Sequence, residues 1–305
     1  MGSKQIMLVE VGPRDGLQSE PEILSTETKA KFVEMAIDAG VTRLEVASFV
    51  HPKKVPQMAD AEALIERLPQ VDGVSYIGLI MNERGLDRAL TTKVHEIGMV
   101  VVASDTYNRK NQGVGTAESI AAWKSIARRA QENGLRANVM IASAFGCPYE
   151  GEVKVSRVVD LVKQVIEAEP AELGLADSIG VAVPNQVTDL LGAVGEVTGD
   201  LPVRCHFHNT RNTGLANAQA AVEAGVTYLD ASIGGIGGCP FAPAATGNIP
   251  TDDLVYMLDR SGVATGVSLE EIIAISRWLE AELGRSVPAL LPKAGGFPAG
   301  GSRAA

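Results

Sequence analysis

Two of the four histidines in this 305-residue chain, His206 and His208, lie one residue apart in the stretch RCHFHNT. Side chains alternate across a strand, so both imidazoles point to one side while Val203, Cys205 and Phe207 point to the other. Neutral imidazole is a common ligand of divalent metals, which makes such a pair typical of a metal site. The spacing therefore predicts two metal ligands, and two polar residues with structural roles are the alternative.

A carboxylate that could join the histidines lies near the N-terminus, in the segment VEVGPRDGLQ. Its glycines and proline set Arg14 and Asp15 in a turn after a strand. A carboxylate combined with imidazoles suits Mg²⁺ or Mn²⁺, with water or substrate as the remaining ligands. We therefore take Asp15 as a candidate ligand, with a turn that has no chemical role as the alternative.

Three further side chains could take part in catalysis. Glu45 lies in RLEVASF between apolar residues that face the helices, so its carboxylate points inward, where Arg14 is a natural partner. Asp177 ends a strand and has either a helix-capping role or a role in the site. Cys239 lies in the glycine-rich segment GGIGGCPFAPAATGN, which suits a mobile acid or base, and an unreactive cysteine is the alternative.

The elements that must position these residues alternate along the chain as short β-rich runs and amphipathic helical stretches. Eight strand–helix units predict a (β/α)8 barrel, whose chemistry lies at the carboxyl ends of the strands. We expect residues 1–264 to form the barrel and residues 265–305 to add a helix and a flexible tail packed on the same domain. The predicted strands span residues 6–11, 43–49, 75–81, 96–104, 136–143, 172–177, 203–208 and 228–234.

The composition narrows the possible partners and location. The net charge of -10 argues against nucleic acid or an anionic membrane as the main partner, because both bind basic surfaces. No run of about 18 apolar residues is present, and the first residues lack the features of a signal peptide. Three cysteines spaced far apart fit a reducing compartment. The sequence therefore predicts a cytoplasmic protein that acts on a small molecule.

Six motifs in this order resemble the 3-hydroxy-3-methylglutaryl-CoA lyase family: VEVGPRDGLQ, SFVHPKKVPQM, GCPYEG, HFHNT, GGIGGCP and GNIPTDDLVYML. The similarity runs from about residue 5 to residue 285. It implies a barrel with extra helices, a divalent cation such as Mg²⁺ or Mn²⁺, coenzyme A as part of the substrate, and a homodimer or higher homo-oligomer. The implied reaction cleaves a 3-hydroxy-3-methylglutaryl-CoA-like thioester to acetyl-CoA and acetoacetate.

The resemblance also implies roles for individual residues. The implied metal ligands are Asp15, His206, His208 and Asn248. Arg14 would stabilise the enolate charge, Glu45 and Asp177 would belong to the active-site network, and Cys239 would be the catalytic thiol. Asp252 would be a supporting residue at a position where the family often has Glu. Whether His206 or Cys239 is the principal acid or base stays open. Basic residues at the barrel mouth could meet the CoA phosphates, although solvated surface charge is the alternative: Lys53, Lys54, Arg109 and Lys110.

Two departures from the family pattern leave the acyl group open. Asn209 and Arg211 stand where many members have Asp and Tyr, and LADSIG replaces LGDTIG. An added cation near the metal would favour a different acid end, such as that of citramalyl-CoA. Three further classes of protein stay open: a condensing acyltransferase of the same superfamily, an iron oxygenase, and a binding protein without activity.

Overall fold

Ten strands are present in the computed structural model of the protein, which describes residues 4–238 and 247–298. They are β1 (Met7–Glu10), β2 (Arg43–Ser48), β3 (Ser75–Ile80), β4 (Glu96–Val102), β5 (Arg136–Ala142), β6 (Gly146–Cys147), β7 (Gly151–Glu152), β8 (Glu172–Asp177), β9 (Val203–Phe207) and β10 (Tyr228–Ala231). All but β6 and β7 pair in parallel and close into a barrel, in which β10 and β2 flank β1.

Helices cover the outside of this barrel. Those described are α1 (Thr26–Asp38), α2 (Ala61–Arg67), α3 (Glu83–Ala89), α4 (Asp105–Gln112), α5 (Thr116–Glu132), α6 (Val155–Val165), α7 (Pro184–Thr198), α8 (Gly214–Glu223), α9 (Thr251–Arg260), α10 (Leu269–Leu283) and α11 (Leu291–Ala294). Across the two described ranges, none of these helices has both the length and the apolar character that a membrane span requires.

The predicted (β/α)8 barrel is confirmed, and each of the eight predicted strands contains one barrel strand. The sequence did not reveal the antiparallel hairpin of β6 and β7, because two residues on each side leave no alternating pattern to detect. Alternation did place the side chains of β2 correctly. Leu44 and Val46 belong to the apolar core, whereas Arg43 and Glu45 lie inside the barrel.

Buried charges inside the barrel form a connected set that we call the ionic column: Arg43, Glu96, Glu172, Arg204 and Asp230. Arg43 Nη2 lies 2.5 Å from Glu96 Oε2, and Arg43 Nη1 lies 2.5 Å from Glu172 Oε2. Arg204 Nε lies 3.0 Å from Glu172 Oε1, and its Nη1 lies 3.4 Å from Asp230 Oδ1. Each charge therefore has an opposite partner, as burial requires, and removing one partner costs about 3–5 kcal/mol.

The C-terminal helix α10 packs against the barrel's helical layer. The rings of Phe32 in α1 and Trp278 in α10 have centroids 6.1 Å apart. Ser276 of α10 donates a hydrogen bond of 2.6 Å to Asp252 of α9. The division of the chain at residue 264 stays a prediction, and residues 299–305 of the predicted tail lie outside the described part of the chain.

Glu10, at the end of β1, joins three segments at the carboxyl end of the barrel. One carboxylate oxygen accepts from the amides of Gly12 and Ile233 at 2.8 and 2.9 Å, and the other accepts from the Thr251 hydroxyl at 2.6 Å. Burial raises the pKa of Glu10 from 4.5 to about 8, although these hydrogen bonds oppose the shift. Between pH 4.5 and about 8, the Glu10 carboxyl is therefore protonated in the folded protein and ionised in the unfolded chain.

We expect the Glu10→Gln variant to lose a pH dependence of stability that the parent has. An acid with a raised folded pKa contributes stability below pH 4.5, and that contribution is lost as the pH rises through about 8. The difference between the two pKa values corresponds to at most about 5 kcal/mol. Urea unfolding from pH 5 to 9 should show a decline in the parent's unfolding free energy that is much smaller in the glutamine variant. Parallel profiles for the two proteins would contradict the prediction.

Candidate active site

Asp15, His206 and His208 form a cluster at the carboxyl ends of the strands. Each offers one ligand atom, and these atoms all lie within 4.8 Å of one another. Asp15 lies in the tight helical turn Gly12–Gly16 after β1, His206 is in β9, and His208 follows β9 directly. This geometry can hold a divalent cation through one carboxylate and two imidazoles.

Asn248 lies beside the cluster, because its backbone pairs with that of His208 in an isolated bridge. Its side-chain Nδ2 donates to Asp15 Oδ2 at 2.8 Å, and its Oδ1 is buried with no hydrogen-bond partner among the described residues. His208 Nδ1 is also buried without such a partner. Buried polar atoms normally have partners, so a cation that accepts both as ligands fits this donor set.

The protonation states of two of these residues suit metal binding. Burial, followed by the nearby His206, lowers the pKa of His208 to about 4, so its imidazole is neutral at neutral pH. Burial alone would raise the pKa of Asp15, but Arg14 and the two histidines outweigh it and lower that pKa to about 2. A neutral imidazole and a charged carboxylate are the forms that bind a metal.

His206 is oriented by Asp230 of the ionic column. The His206 Nδ1 atom lies 3.0 Å from Asp230 Oδ2, in a barrel interior where His206 is 12% exposed and Asp230 is 4% exposed. A carboxylate that accepts the Nδ1 proton fixes the ring and leaves Nε2 with its lone pair available. The ionic column therefore connects the barrel floor to the metal-binding cluster.

We expect Asp230→Asn to weaken metal binding by about 10- to 100-fold, the usual effect of removing a carboxylate that orients a ligand histidine. The affinity for Mn²⁺ can be measured by calorimetry. Asp253→Asn is a matched control, because Asp253 is a buried acid that accepts from the Leu290 and Leu291 amides away from the cluster. Equal Mn²⁺ affinities for the parent and Asp230→Asn would contradict the orienting role.

Arg14 holds its guanidinium between two carboxylates next to the cluster. Its Nη1 donates to Asp15 Oδ1 at 2.6 Å, and its Nε donates to Glu45 Oε1. Burial disfavours the charged form, but Glu45 and then Asp15 outweigh it and raise the pKa of Arg14. The structure thus provides the pairing of Glu45 with Arg14 expected from the sequence, and it fixes a positive charge at the mouth of the barrel.

A cavity of about 400 Å³ opens over this group of residues. It is lined by apolar side chains such as Leu79, Met81 and Val100. Its polar lining includes Arg14, Asp15, Glu45, Lys54, Asn138, Arg204, His206, His208 and Asp230. Small-molecule sites commonly combine an apolar wall with a few converging polar groups. The arrangement can therefore bind a small acyl group beside a metal ion.

The other basic candidates differ in their positions. Lys54 lines the cavity, whereas Lys53 is exposed outside it. Arg109 is 60% exposed and pairs with Asp105 at 2.8 Å. Lys110 lies 5.0 Å above the centre of the Tyr149 ring. The structure thus brings one of these four basic residues into the lining of the cavity.

Asp177 lies outside the cavity lining. Its carboxylate accepts from the amides of Val181 and Ala182 at 3.0 and 2.9 Å, and burial raises its pKa. It therefore shapes the loop after β8 rather than capping α7. Asp252 has a similar role farther out, where it accepts from the Gly234 amide at 2.8 Å and from Ser276.

The sequence also led us to expect that Arg211 and Cys239 act at the mouth of the barrel. The Arg211 guanidinium donates to the carbonyl oxygens of Ile179 and Gly180 at 2.9 and 3.0 Å, so its charge serves a loop and does not enter the cavity. The expectation that Arg211 adds a cation near the metal was wrong. Cys239 lies outside the described residues, and its predicted role stays a prediction.

Sequence reasoning missed Asp230, Arg204 and Asn138. All three are polar residues within predicted strands, at positions whose alternation points into the barrel. That alternation was available in YLDAS, VRCHFH and RANVM, but it does not tell which inward polar residues reach the same point. Closure of the barrel brings β5, β9 and β10 to one interior, and that information is not local.

Comparisons with known proteins identify the family of this chain. The HMGL-like family model matches residues 5–279. The chain is 43% identical to (R)-citramalyl-CoA lyase of Chloroflexus aurantiacus, with 95% of each chain covered, and 39% identical to a hydroxymethylglutaryl-CoA lyase of Bacillus subtilis, with 93% and 95% covered. A solved HMG-CoA lyase structure from Acinetobacter baumannii contains coenzyme A and 3-methylmalate. It superimposes on this chain with a TM-score of 0.94 at 37% identity, and the match covers 98% of this chain and 99% of the A. baumannii chain. The chain therefore belongs to the HMGL-like family.

Proposed function

We propose that this chain is a divalent-metal-dependent carbon–carbon lyase that cleaves 3-hydroxy-3-methylglutaryl-CoA, or a close analogue, to acetyl-CoA and acetoacetate. The observation that carries the proposal is the cluster of Asp15, His206 and His208 beside the Arg14 guanidinium in the lining of an acyl-sized cavity. Membership of the HMGL-like family supports it, as do relatives named hydroxymethylglutaryl-CoA lyase.

The reaction is a retro-Claisen cleavage without redox change. The hydroxyl group on the tertiary carbon, C3, loses its proton, and the electrons of that O–H bond form the new ketone. The bond between C2 and C3 breaks, and its electron pair becomes the enolate of the acetyl thioester. A proton added at C2 completes acetyl-CoA, so the atoms of the substrate are divided between the two products. The site must therefore support negative charge at two oxygens and move two protons.

Asp15, His206, His208 and Asn248 would hold the cation. Buried Asn248 Oδ1 and His208 Nδ1 have no hydrogen-bond partner among the described residues, and His208 is neutral at pH 7, so this donor set fits a divalent ion. When bound, the ion would lower the pKa of the substrate hydroxyl and support its negative charge. Mg²⁺ or Mn²⁺ is proposed because both accept mixed oxygen and nitrogen ligands.

Arg14 would stabilise the enolate. Its guanidinium is held by Glu45 and Asp15, so it does not need to reorganise when charge develops on the thioester oxygen. Preorganised donors of this kind give the largest electrostatic contributions to catalysis. Glu45 acts as a positioning residue, since its carboxylate orients the guanidinium.

Proton transfer would fall mainly to a group other than His206. The Nδ1 atom of His206 lies 3.0 Å from Asp230 Oδ2, and the residue is also a proposed metal ligand. The remaining candidate is Cys239, which the sequence proposes as the proton donor to C2. Lys54, which lines the cavity, would meet a CoA phosphate, with Lys53, Arg109 and Lys110 as weaker candidates.

Cleavage of citramalyl-CoA to acetyl-CoA and pyruvate is the second candidate. The observation that favours it is the 43% identity to the Chloroflexus aurantiacus (R)-citramalyl-CoA lyase over 300 residues. The chemistry and the required residues are the same, because only the group carried by the tertiary carbon differs. A homo-oligomer and a cytoplasmic location also remain proposals.

A turnover assay on both CoA esters tests the function. The purified protein should release acetyl-CoA together with acetoacetate or pyruvate in the presence of Mg²⁺ or Mn²⁺, and the ketoacid should be identified by mass spectrometry. Chelation by EDTA should abolish turnover, and added metal should restore it. Absence of cleavage of either ester by metal-loaded protein would contradict the proposal.

A further inference from the structure

Residues 236–238, which we call the loop stem, pack against the turn that follows β1. A Cβ atom built at Gly16 in this turn would lie 2.7 Å from Cγ1 of buried Ile236, so the turn has no room for a side chain there. The Gly238 carbonyl accepts from the Ser19 hydroxyl at 2.8 Å, just beyond the turn. The loop stem is therefore held against the segment that carries a proposed metal ligand.

The loop stem also orients the side-chain amide of Asn248. The Asn248 Nδ2 atom donates to Asp15 Oδ2 at 2.8 Å and to the Ile236 carbonyl at 3.2 Å, which accounts for both of its hydrogens. Its Oδ1 atom is buried and has no partner among the described residues. Because the amide group is planar, two acceptors at Nδ2 fix the direction of Oδ1. The Ile236 carbonyl therefore favours Oδ1, rather than Nδ2, as the atom left for a cation.

Gly237, at the centre of the loop stem, must be glycine for these contacts to form. Its φ of 102° lies in the region that residues with a side chain rarely adopt. A Cβ atom built there would lie 2.8 Å from Asn248 Nδ2, 3.0 Å from Gly16 Cα and 3.1 Å from the Asp15 carbonyl oxygen. The last two atoms belong to the backbone of the turn and cannot move aside without displacing Asp15. A side chain at residue 237 would therefore push on two proposed ligands at once.

We propose that Gly237 is a positioning residue of the metal centre, and that the loop stem and a bound cation stabilise each other through Asn248. The inference rests on the metal centre of the proposed function. The loop stem orients the Asn248 amide for the cation, and use of Oδ1 as a ligand keeps Nδ2 directed at the Ile236 carbonyl. Such coupling is reciprocal, so the factor by which the loop stem raises metal affinity is also the factor by which the metal stabilises the loop stem.

Gly237→Ala tests the positioning role. We expect it to weaken Mn²⁺ binding by about 10- to 100-fold, the usual effect of losing a group that orients a metal ligand, and calorimetry measures the affinity. Gly262→Ala is the matched control. Gly262 also has a positive φ, of 75°, but it lies in an exposed turn where a Cβ atom meets nothing within 4 Å. The control should bind Mn²⁺ like the parent, and a Gly237→Ala protein that does the same would overturn the proposal.

Amide hydrogen exchange of the parent tests the coupling without any substitution, and it decides the matter if Gly237→Ala does not fold. Saturating Mn²⁺ should slow exchange in a peptide that covers residues 233–238 by at least about fivefold, the lower end of typical coupling between sites. In Asn248→Ala, Mn²⁺ held by the three remaining ligands should no longer slow this exchange. A purely structural role of the loop stem predicts no such dependence on Mn²⁺.

The helix α10 is the internal control for the exchange measurement, since its exchange should not respond to Mn²⁺. Two results would overturn the coupling: equal exchange of the loop stem in the parent with and without Mn²⁺, and equal slowing in the parent and Asn248→Ala. A parent protein that binds no Mn²⁺ would instead contradict the metal centre of the proposed function.

Discussion

The Arg14→Gln variant should lose about 100- to 1000-fold in kcat, the usual effect of removing one preorganised donor from a site of developing negative charge. Glutamine cannot replace the fixed positive fork that contacts both Glu45 and Asp15. Arg14→Lys should recover only part of the loss, because a single ammonium does not reproduce the planar guanidinium. Steady-state kinetics with saturating Mn²⁺ measures the effect on the chemical step.

Arg129→Gln is the matched control for this variant. Arg129 also contacts two carboxylates, those of Glu83 and Asp87, but it lies on the outside of the barrel, at 35% side-chain exposure. Its replacement should leave kcat within about twofold, because partly exposed ion pairs contribute about 0–1 kcal/mol to stability and this pair lies away from the cavity. A folded Arg14→Gln protein that keeps more than a tenth of the parent kcat would contradict the role assigned to Arg14.

Asp15→Asn should weaken Mn²⁺ binding by more than about 100-fold, which exceeds the effect expected when a residue behind a ligand is changed. The substitution keeps the shape of the side chain but removes a charge that persists down to a pKa of about 2. Activity should fall in parallel, and high Mn²⁺ concentrations should restore part of it. Calorimetry and a metal titration of activity measure the two effects.

Asp87→Asn serves as the control for Asp15→Asn, because Asp87 is an exposed acid of α3 that is paired with Arg129. We expect it to bind Mn²⁺ like the parent. Unchanged Mn²⁺ affinity in Asp15→Asn would show that the carboxylate is not a ligand, and the proposed metal centre would then lose its charged donor.

The fold could be predicted from the sequence because each strand has its own local signal. Runs such as RLEVASF and EIGMVVVAS are short, largely apolar and lie between amphipathic stretches, so their number and order indicate a parallel barrel. The hairpin of β6 and β7 has no such signal, since two residues on each side leave no alternating pattern.

The candidate site could be predicted in part. His206 and His208 point the same way for a local reason, which is the two-residue period of a strand. Their proximity to Asp15 depends on closure of the barrel, in which β10 lies between β1 and β9. The predicted barrel already implied that closure. Asn248 came from the resemblance alone, because no periodicity in the sequence marks it.

Residues that support the site were not predictable in this way. Asp230 is 24 positions from His206, and Arg204 bridges Glu172 and Asp230 from a third strand. The stagger of the strands around the barrel determines which inward charges pair with each other. The Arg211 prediction failed for a similar reason, since nearby loop carbonyls compete for its guanidinium.

The ionic column also has a consequence for how the chain can be divided. Its five members come from β2, β4, β8, β9 and β10, and so from both the first and the second half of the sequence. A fragment ending after β5 would keep Arg43 and Glu96 but lose Glu172, and the complementary fragment would keep Glu172 and Asp230 without Arg43. The second fragment would then hold two buried carboxylates against the single guanidinium of Arg204, so this barrel should resist separation into autonomous half-barrels and should assemble as one cooperative unit.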